Sequence, residues 1–136
     1  MTQVVRGARE MVAGMTPELK PGAYVFCAAG DRDWAALEPL AMFREAEGVS
    51  LILERGAAEA VGFPVVSPMA LITLNVYSAL DGVGLSAAVA MALAEARIAC
   101  NMVAALNHDH VFVPADHSDE AIRILLDLQR AAASAP

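Results

Sequence analysis

The sequence predicts an α+β protein with antiparallel sheets and helices packed against them. Three observations lead there. Residues 71–114 pass from a β-favouring run to a turn, a helical-period run and two short strand-like runs, a β-turn-α-β-β order. Residues 40–45 and 49–54 are apolar segments flanking Glu47-Gly48, a hairpin signal because glycine tolerates positive φ. The C-terminal stretch from Asp116 onward carries apolar residues at three- and four-residue steps, the pattern of a helix with one wet side.

In chain order, residues 3–15 form an amphipathic helix with Val4, Val5, Ala8, Met11 and Val12 as its stripe. Thr16-Pro17 and Pro21-Gly22 then break the chain. Residues 23–28 read as a compact buried strand, and residues 30–39, with Trp34, as a loop or single helical turn. The two hairpin strands follow, then a short helical piece at 56–61. Gly62-Phe63-Pro64 and Ser67-Pro68 mark the boundary between two halves, residues 1–64 and 65–136.

The second half opens with a strand at 71–77 and a turn at Asp81, Gly82 and Gly84. In the helix after it, Leu85, Ala88, Val89, Ala92, Leu93 and Ala96 share one face. A strand at 98–106, a tight turn at 107–109 and a returning strand at 110–113 lead to the last helix, which Asp116 or Ser118 caps. This half lacks the fourth strand of a complete βαββαβ unit. The open edge must be covered by residues 23–28, by the segment leading into Val65, or by a partner. The expected core is Ile72, Leu74, Val76, Leu85, Val89, Leu93, Cys100, Met102, Val111, Val113, Ile122 and Leu125.

Composition excludes several classes. The chain is 57% hydrophobic, but no run of about 20 apolar residues lacks charge or turn breakers, so no membrane span is expected. A net charge of −7 without a Lys/Arg cluster argues against nucleic acid as a partner. The N-terminus has no secretory pattern, and Cys27 and Cys100 fall in predicted strands, as reduced thiols of a cytoplasmic protein do. No Ser-His-Asp order, phosphate loop or dinucleotide fingerprint stands out, so neither an enzyme nor a cofactor is expected.

The run TLNVYSALDGVGL over residues 73–85 resembles the first strand and turn of an ACT domain. NMVAALNHDHVFVP over residues 101–114 resembles the central hairpin of small bacterial proteins made of two ACT-like units, a group largely without assigned function. Glu45-Ala46-Glu47-Gly48 and Pro21–Phe26 resemble that group's first half. The resemblance implies tandem ferredoxin-like units, with the second completed by a strand from elsewhere. It also implies a regulatory or sensor module that binds a small molecule, an amino acid in the usual case, and pairs as a homodimer.

The resemblance directs attention to the turn after the first strand of the second half. Gly82 and Gly84 permit close backbone approach, and the helix beginning near Leu85 leaves N–H donors free for a carboxylate. The expected contacts are Val83, Gly84 and Leu85 for the carboxylate, and Asn75, Ser78, Asp81 and Asn101 for the other polar groups. Asn101 enters this set as an amide on an apolar strand, which burial would force to find a partner. Two alternatives stay open: an interaction module without a ligand, and a metal-dependent enzyme using His108, Asp109 and His110. The plainer view of that cluster is a hairpin whose Asp109 bonds the turn and whose histidines bond nearby backbone.

Overall fold

A computed structural model describes residues 3–135. Seven strands are present among them: β1 (Pro17–Leu19), β2 (Tyr24–Ala28), β3 (Ala41–Glu45), β4 (Gly48–Glu54), β5 (Met69–Leu74), β6 (Asn101–Ala104) and β7 (Asp109–Pro114). The helices are α1 (Ala8–Gly14), α2 (Arg55–Ala60), α3 (Leu85–Glu95) and α4 (Ser118–Ser134), and single 3₁₀ turns lie at Trp34–Leu37 and Ala115–His117. All strands join one antiparallel sheet in the order β3-β4-β2-β5-β7-β6, with β1 also on β5.

That order contains the same unit twice. Strands β2, β3 and β4 followed by β5 make the first, and β5, β6 and β7 completed by β1 make the second. Both have the strand arrangement of a ferredoxin-like unit. In the first, only the short turn Trp34–Leu37 stands where the second has α3.

The missing strand therefore comes from within the chain, but mostly not from residues 23–28. Pro17–Leu19 pair with Leu74–Ile72, and the predicted strand contributes only Tyr24 opposite Met69. Thr16-Pro17 does end the first helix, with φ +33° at Thr16, but Pro17 then opens a strand. Proline lacks an N–H, but at the first position of a short strand it forfeits little.

One face of the sheet carries the helices. Ala70, Ile72 and Leu74 of β5 and Val111 and Val113 of β7 pack against Met11, Val12, Leu85, Val89, Leu93, Ala121 and Leu125. Of the twelve expected core residues, Cys100, Met102 and Ile122 are half-buried against this cluster, and the other nine are buried. A separate cluster of Val25, Leu51, Leu53, Ala58 and Phe63 holds the first half together. On the opposite face Ile52, Leu71 and Phe112 gather Ala41 and Val103. These two residues belong to the terminal strands β3 and β6, so the sheet must curl to bring them to one cluster.

Several boundaries differ from expectation. The first helix starts at Ala8, after Gly7, and Val5 instead runs beside the β5–α3 turn. There its N–H donates to the Tyr77 carbonyl at 2.7 Å and its carbonyl accepts from Ala79 at 2.8 Å. Strand β5 stops at Leu74, where the chain turns back on itself: the Val76 N–H donates to the Leu74 carbonyl at 2.9 Å. Neither Asp116 nor Ser118 caps α4 through its side chain; His117 holds the cap position after the Ala115–His117 turn.

The N-terminal segment is thus part of the second unit's core, anchored by the fully buried Met15. Met15→Ala is expected to cost about 2–5 kcal/mol of unfolding free energy. Urea denaturation followed by circular dichroism measures it, and a loss below about 1 kcal/mol would mean the segment is not anchored there.

Candidate functional site

The chain from the end of β5 to the start of α3 encloses a small cavity of ≈100 Å³. Ser78, Leu80 and Gly82 line one side, Leu85 and Ser86 of α3 another, and Met11, Ala104 and Asp109 the rest. Asp109 stands on β7 between Leu74 of β5 and Ala104 of β6. It shares the helix-facing parity of Val111 and Val113, so its carboxylate is buried, 6% exposed. Oδ2 accepts a hydrogen bond from Ser78 Oγ at 3.3 Å. The first turn of α3 begins at the same cavity. Its leading N–H groups have no carbonyl four residues back, and no side chain caps them. The cavity therefore holds a fixed negative group and an electropositive helix start side by side.

The expected site residues separate into two sets. Ser78, Gly84 and Leu85 line this cavity. Asn75 does not. Its Nδ2 donates to the Thr16 carbonyl at 3.2 Å and to Glu18 Oε1 at 3.1 Å, tying β1 to the end of β5. Asp81 is exposed and pairs with Arg6 at 3.1 Å. Val83 also projects into solvent. Asn101 is exposed on the terminal strand β6, opposite Phe112 and about 10 Å along the strand from Ala104. Its amide needs no protein partner because water reaches it, which corrects the expectation drawn from the apolar run around it.

Gly84 has a different structural reason from the one expected. Its φ is +120°, and a Cβ there would lie 2.6 Å from the Ala8 Cβ. The space left by the missing side chain is occupied by α1. Asp109 and Ser86, by contrast, lie at the cavity without having been expected there. The signal for Asp109 was available: a carboxylate in step with Val111 and Val113 points to the packed face.

The histidines of the hairpin are engaged separately. His110 Nδ1 lies 3.1 Å from the hydroxyl of buried Thr73 on β5. His108 Nδ1 is 3.5 Å from the Val76 carbonyl, and its ring packs against Tyr77 with centroids 4.7 Å apart. His117 sits at the start of α4 beside Asp116 and Glu120. Among the described residues, no three His, Cys, Asp or Glu side chains come together as a metal site would require. Burial pushes the thiols of Cys27 and Cys100 upward, away from the reactive thiolate.

Comparison with known proteins addresses the family. One ACT-domain family model matches residues 6–70, and a second ACT-domain model matches residues 66–127. The chain belongs to the ACT-domain family. It is similar to a Vibrio cholerae protein of unknown function described as a possible transport protein, at 42% identity and TM-score 0.79. That match covers 87% of this chain and 92% of the other. The tandem ACT fold is also shared with the ligand-free regulatory subunit of aspartate kinase from Thermus thermophilus. The identity there is 12% and the TM-score 0.61, over 85% of this chain and 97% of that one. An Agrobacterium tumefaciens protein shares it at 16% identity and TM-score 0.65, over 83% and 87% of the two chains. No curated protein matches. Among the described residues, no helix is long and apolar enough to cross a membrane.

Two measurements test this geometry. Gly84→Ala is expected to destabilise by about 1–3 kcal/mol through the strained φ and the collision with Ala8. Adding Ala8→Gly relieves the collision but not the strain, so the double variant should recover only part of the loss. Purely additive losses in denaturant titrations would mean that the two positions do not touch.

The second concerns pH. Burial holds the His110 imidazole below its ordinary value of 6.5, and His108 acts in the same direction while Asp109 opposes it. The unfolded chain then binds this proton first, so the contribution is complete above pH 6.5. It is lost as pH falls from there towards the lower folded value. Glu18, lowered by its bonds from Lys20 and Asn75, loses its contribution only below its ordinary value of 4.5. Thermal melts between pH 7.5 and 5 should show stability falling with pH, and His110→Gln should flatten that slope. An unchanged slope in the variant would remove His110 as its source.

Proposed function

We propose that this protein is a non-catalytic ACT-type regulatory module that binds a small amino acid in the cavity between the β5–α3 turn and Asp109. Family membership supports a ligand-binding regulatory module. The observation that carries the finer reading is the pairing of opposite electrostatic characters in one cavity. The start of α3 suits the ligand carboxylate, through the N–H groups of Leu85 and Ser86. Asp109, held by Ser78, suits the ammonium group. A cavity of ≈100 Å³ has room for a compact zwitterionic head group, about three water volumes.

This reading retains Ser78, Gly84 and Leu85 of the expected contacts, replaces Asp81 with Asp109, and releases Asn75, Val83 and Asn101. A homodimer in the cytoplasm is the setting it assumes. The interaction-only alternative retains one supporting feature. Val83, Leu80 and Leu106 are exposed apolar side chains, and Leu80 and Leu106 line an open groove beside the turn.

A thermal-shift panel of the amino acids tests the proposal, since a ligand selective for the folded state must raise the melting temperature. Ser86→Asp then separates binding from folding. A carboxylate in the first turn of α3 favours the helix by about 0.3–1 kcal/mol but repels a ligand carboxylate. Asp109 at the same cavity offsets that gain, so the variant should stay folded, melt near the wild-type temperature and lose the ligand-induced shift. Retention of that shift would remove the carboxylate from this position. A panel with no response from any amino acid would favour the interaction-only reading.

A further inference from the structure

The opposite face of the curled sheet carries a second opening, unconnected with the turn cavity. It is a groove of ≈460 Å³ between the terminal strands β3 and β6. Phe26, Phe43 and Ile52 form its walls on one side, and Val103 closes it from β6. A smaller hollow of ≈110 Å³ shares Ala41, Ile52 and Val103 and extends to His110 and Phe112. Phe26 meets Phe112 edge-on, with ring centroids 5.3 Å apart, yet remains 48% exposed. Phe43, on the terminal strand, is 71% exposed. Two phenylalanines lining one concave opening form apolar surface that a ligand would remove from water. A groove of this volume, aromatic and aliphatic with few polar groups, has the character of a small-molecule site.

Charge selects the class of ligand. No Lys, Arg or His lines the larger groove, and Glu45 is its only ionisable carboxylate. The parity of β3 places Glu45 on the same face as Ala41 and Phe43, at the end of the groove. Ser50 Oγ donates to Glu45 Oε1, which fixes the carboxylate and leaves Oε2 available. The chain as a whole carries −7. This field repels anionic amphiphiles and attracts cations. We propose that the groove binds a hydrophobic molecule bearing an ammonium group, with an aromatic or aliphatic body against Phe26, Phe43 and Ile52 and the ammonium at Glu45. The site is independent of the amino-acid cavity, because the two lie on opposite faces of the sheet.

Phenethylamine and 3-phenylpropanoate are suitable probes, equal in ring and similar in length but opposite in charge. Each is titrated into the full chain by heteronuclear NMR, with sedimentation velocity on the same samples. Phenethylamine should shift the signals of Phe26, Phe43, Ile52 and Val103, with the acid about fivefold weaker. Glu45→Gln should reduce that preference to within about twofold, and Phe43→Ser should weaken the amine about tenfold. Phe43 is exposed on a terminal strand, so this variant is expected to keep the wild-type melting temperature. Equal affinity for the two probes, or no response of the groove signals at millimolar amine, overturns the proposal. So does a ligand-free dimer that Phe43→Ser converts to a monomer, which would assign the groove to a second copy of the chain.

Discussion

The pairing of β5 on both flanks is the constraint on which the rest of the structure depends. A central strand cannot leave its N–H and C=O groups unbonded in a packed sheet. Strand β7 satisfies one flank from Met69 to Leu74. The other is divided between β1 and β2. The stretch between these two leaves β5 just after Lys20 N donates to the Leu71 carbonyl at 2.8 Å, and it turns at Pro21-Gly22 with φ +80° at Gly22. One strand thus ends the first unit and begins the second, and one N-terminal stretch serves both. With the fourth strand come α1 and Met15, which fill the second unit's core. The segment before α1 then lies along the β5–α3 turn and shapes the candidate site.

Electrostatics at that turn follow from the same packing. Burying a carboxylate is costly unless it is bonded or lies near positive potential. Asp109 has one bond from Ser78 and stands at the cavity that the start of α3 lines, where the helix dipole favours negative charge. A zwitterion suits such a place better than a simple anion, which would meet Asp109, or a simple cation, which would meet the helix end.

The parts of the fold that rest on periodicity were legible in the sequence. Alternation identified Ile72, Leu74, Val111 and Val113, and the helical step identified Leu85, Val89 and Leu93, because burial imposes those periods directly. What escaped was set by tertiary pairing. A three-residue strand beginning with proline has no period to detect, so β1 read as a break. Val4 and Val5 fit a helical stripe, yet Gly7 separates them from α1 and the β5–α3 turn offers Val5 backbone partners. At the site, glycine at 84 was visible but its neighbour Ala8 was not, and Asn101 on a terminal strand escapes burial. Asp109 was seen as a turn residue, whereas its parity with Val111 marks it as core-facing.

The proposed ligand seat lies between Asp109 and the start of α3. Amide chemical shifts recorded while adding the amino acid that most raises the melting temperature test it most directly. The largest changes should fall on Gly82, Leu85 and Ser86, with Ala104 and Asp109 following on the facing strands. Saturable changes confined to the sheet face opposite the helices, around Phe26 and Phe43, or to the exposed apolar groove at Leu80 and Leu106, would contradict this placement.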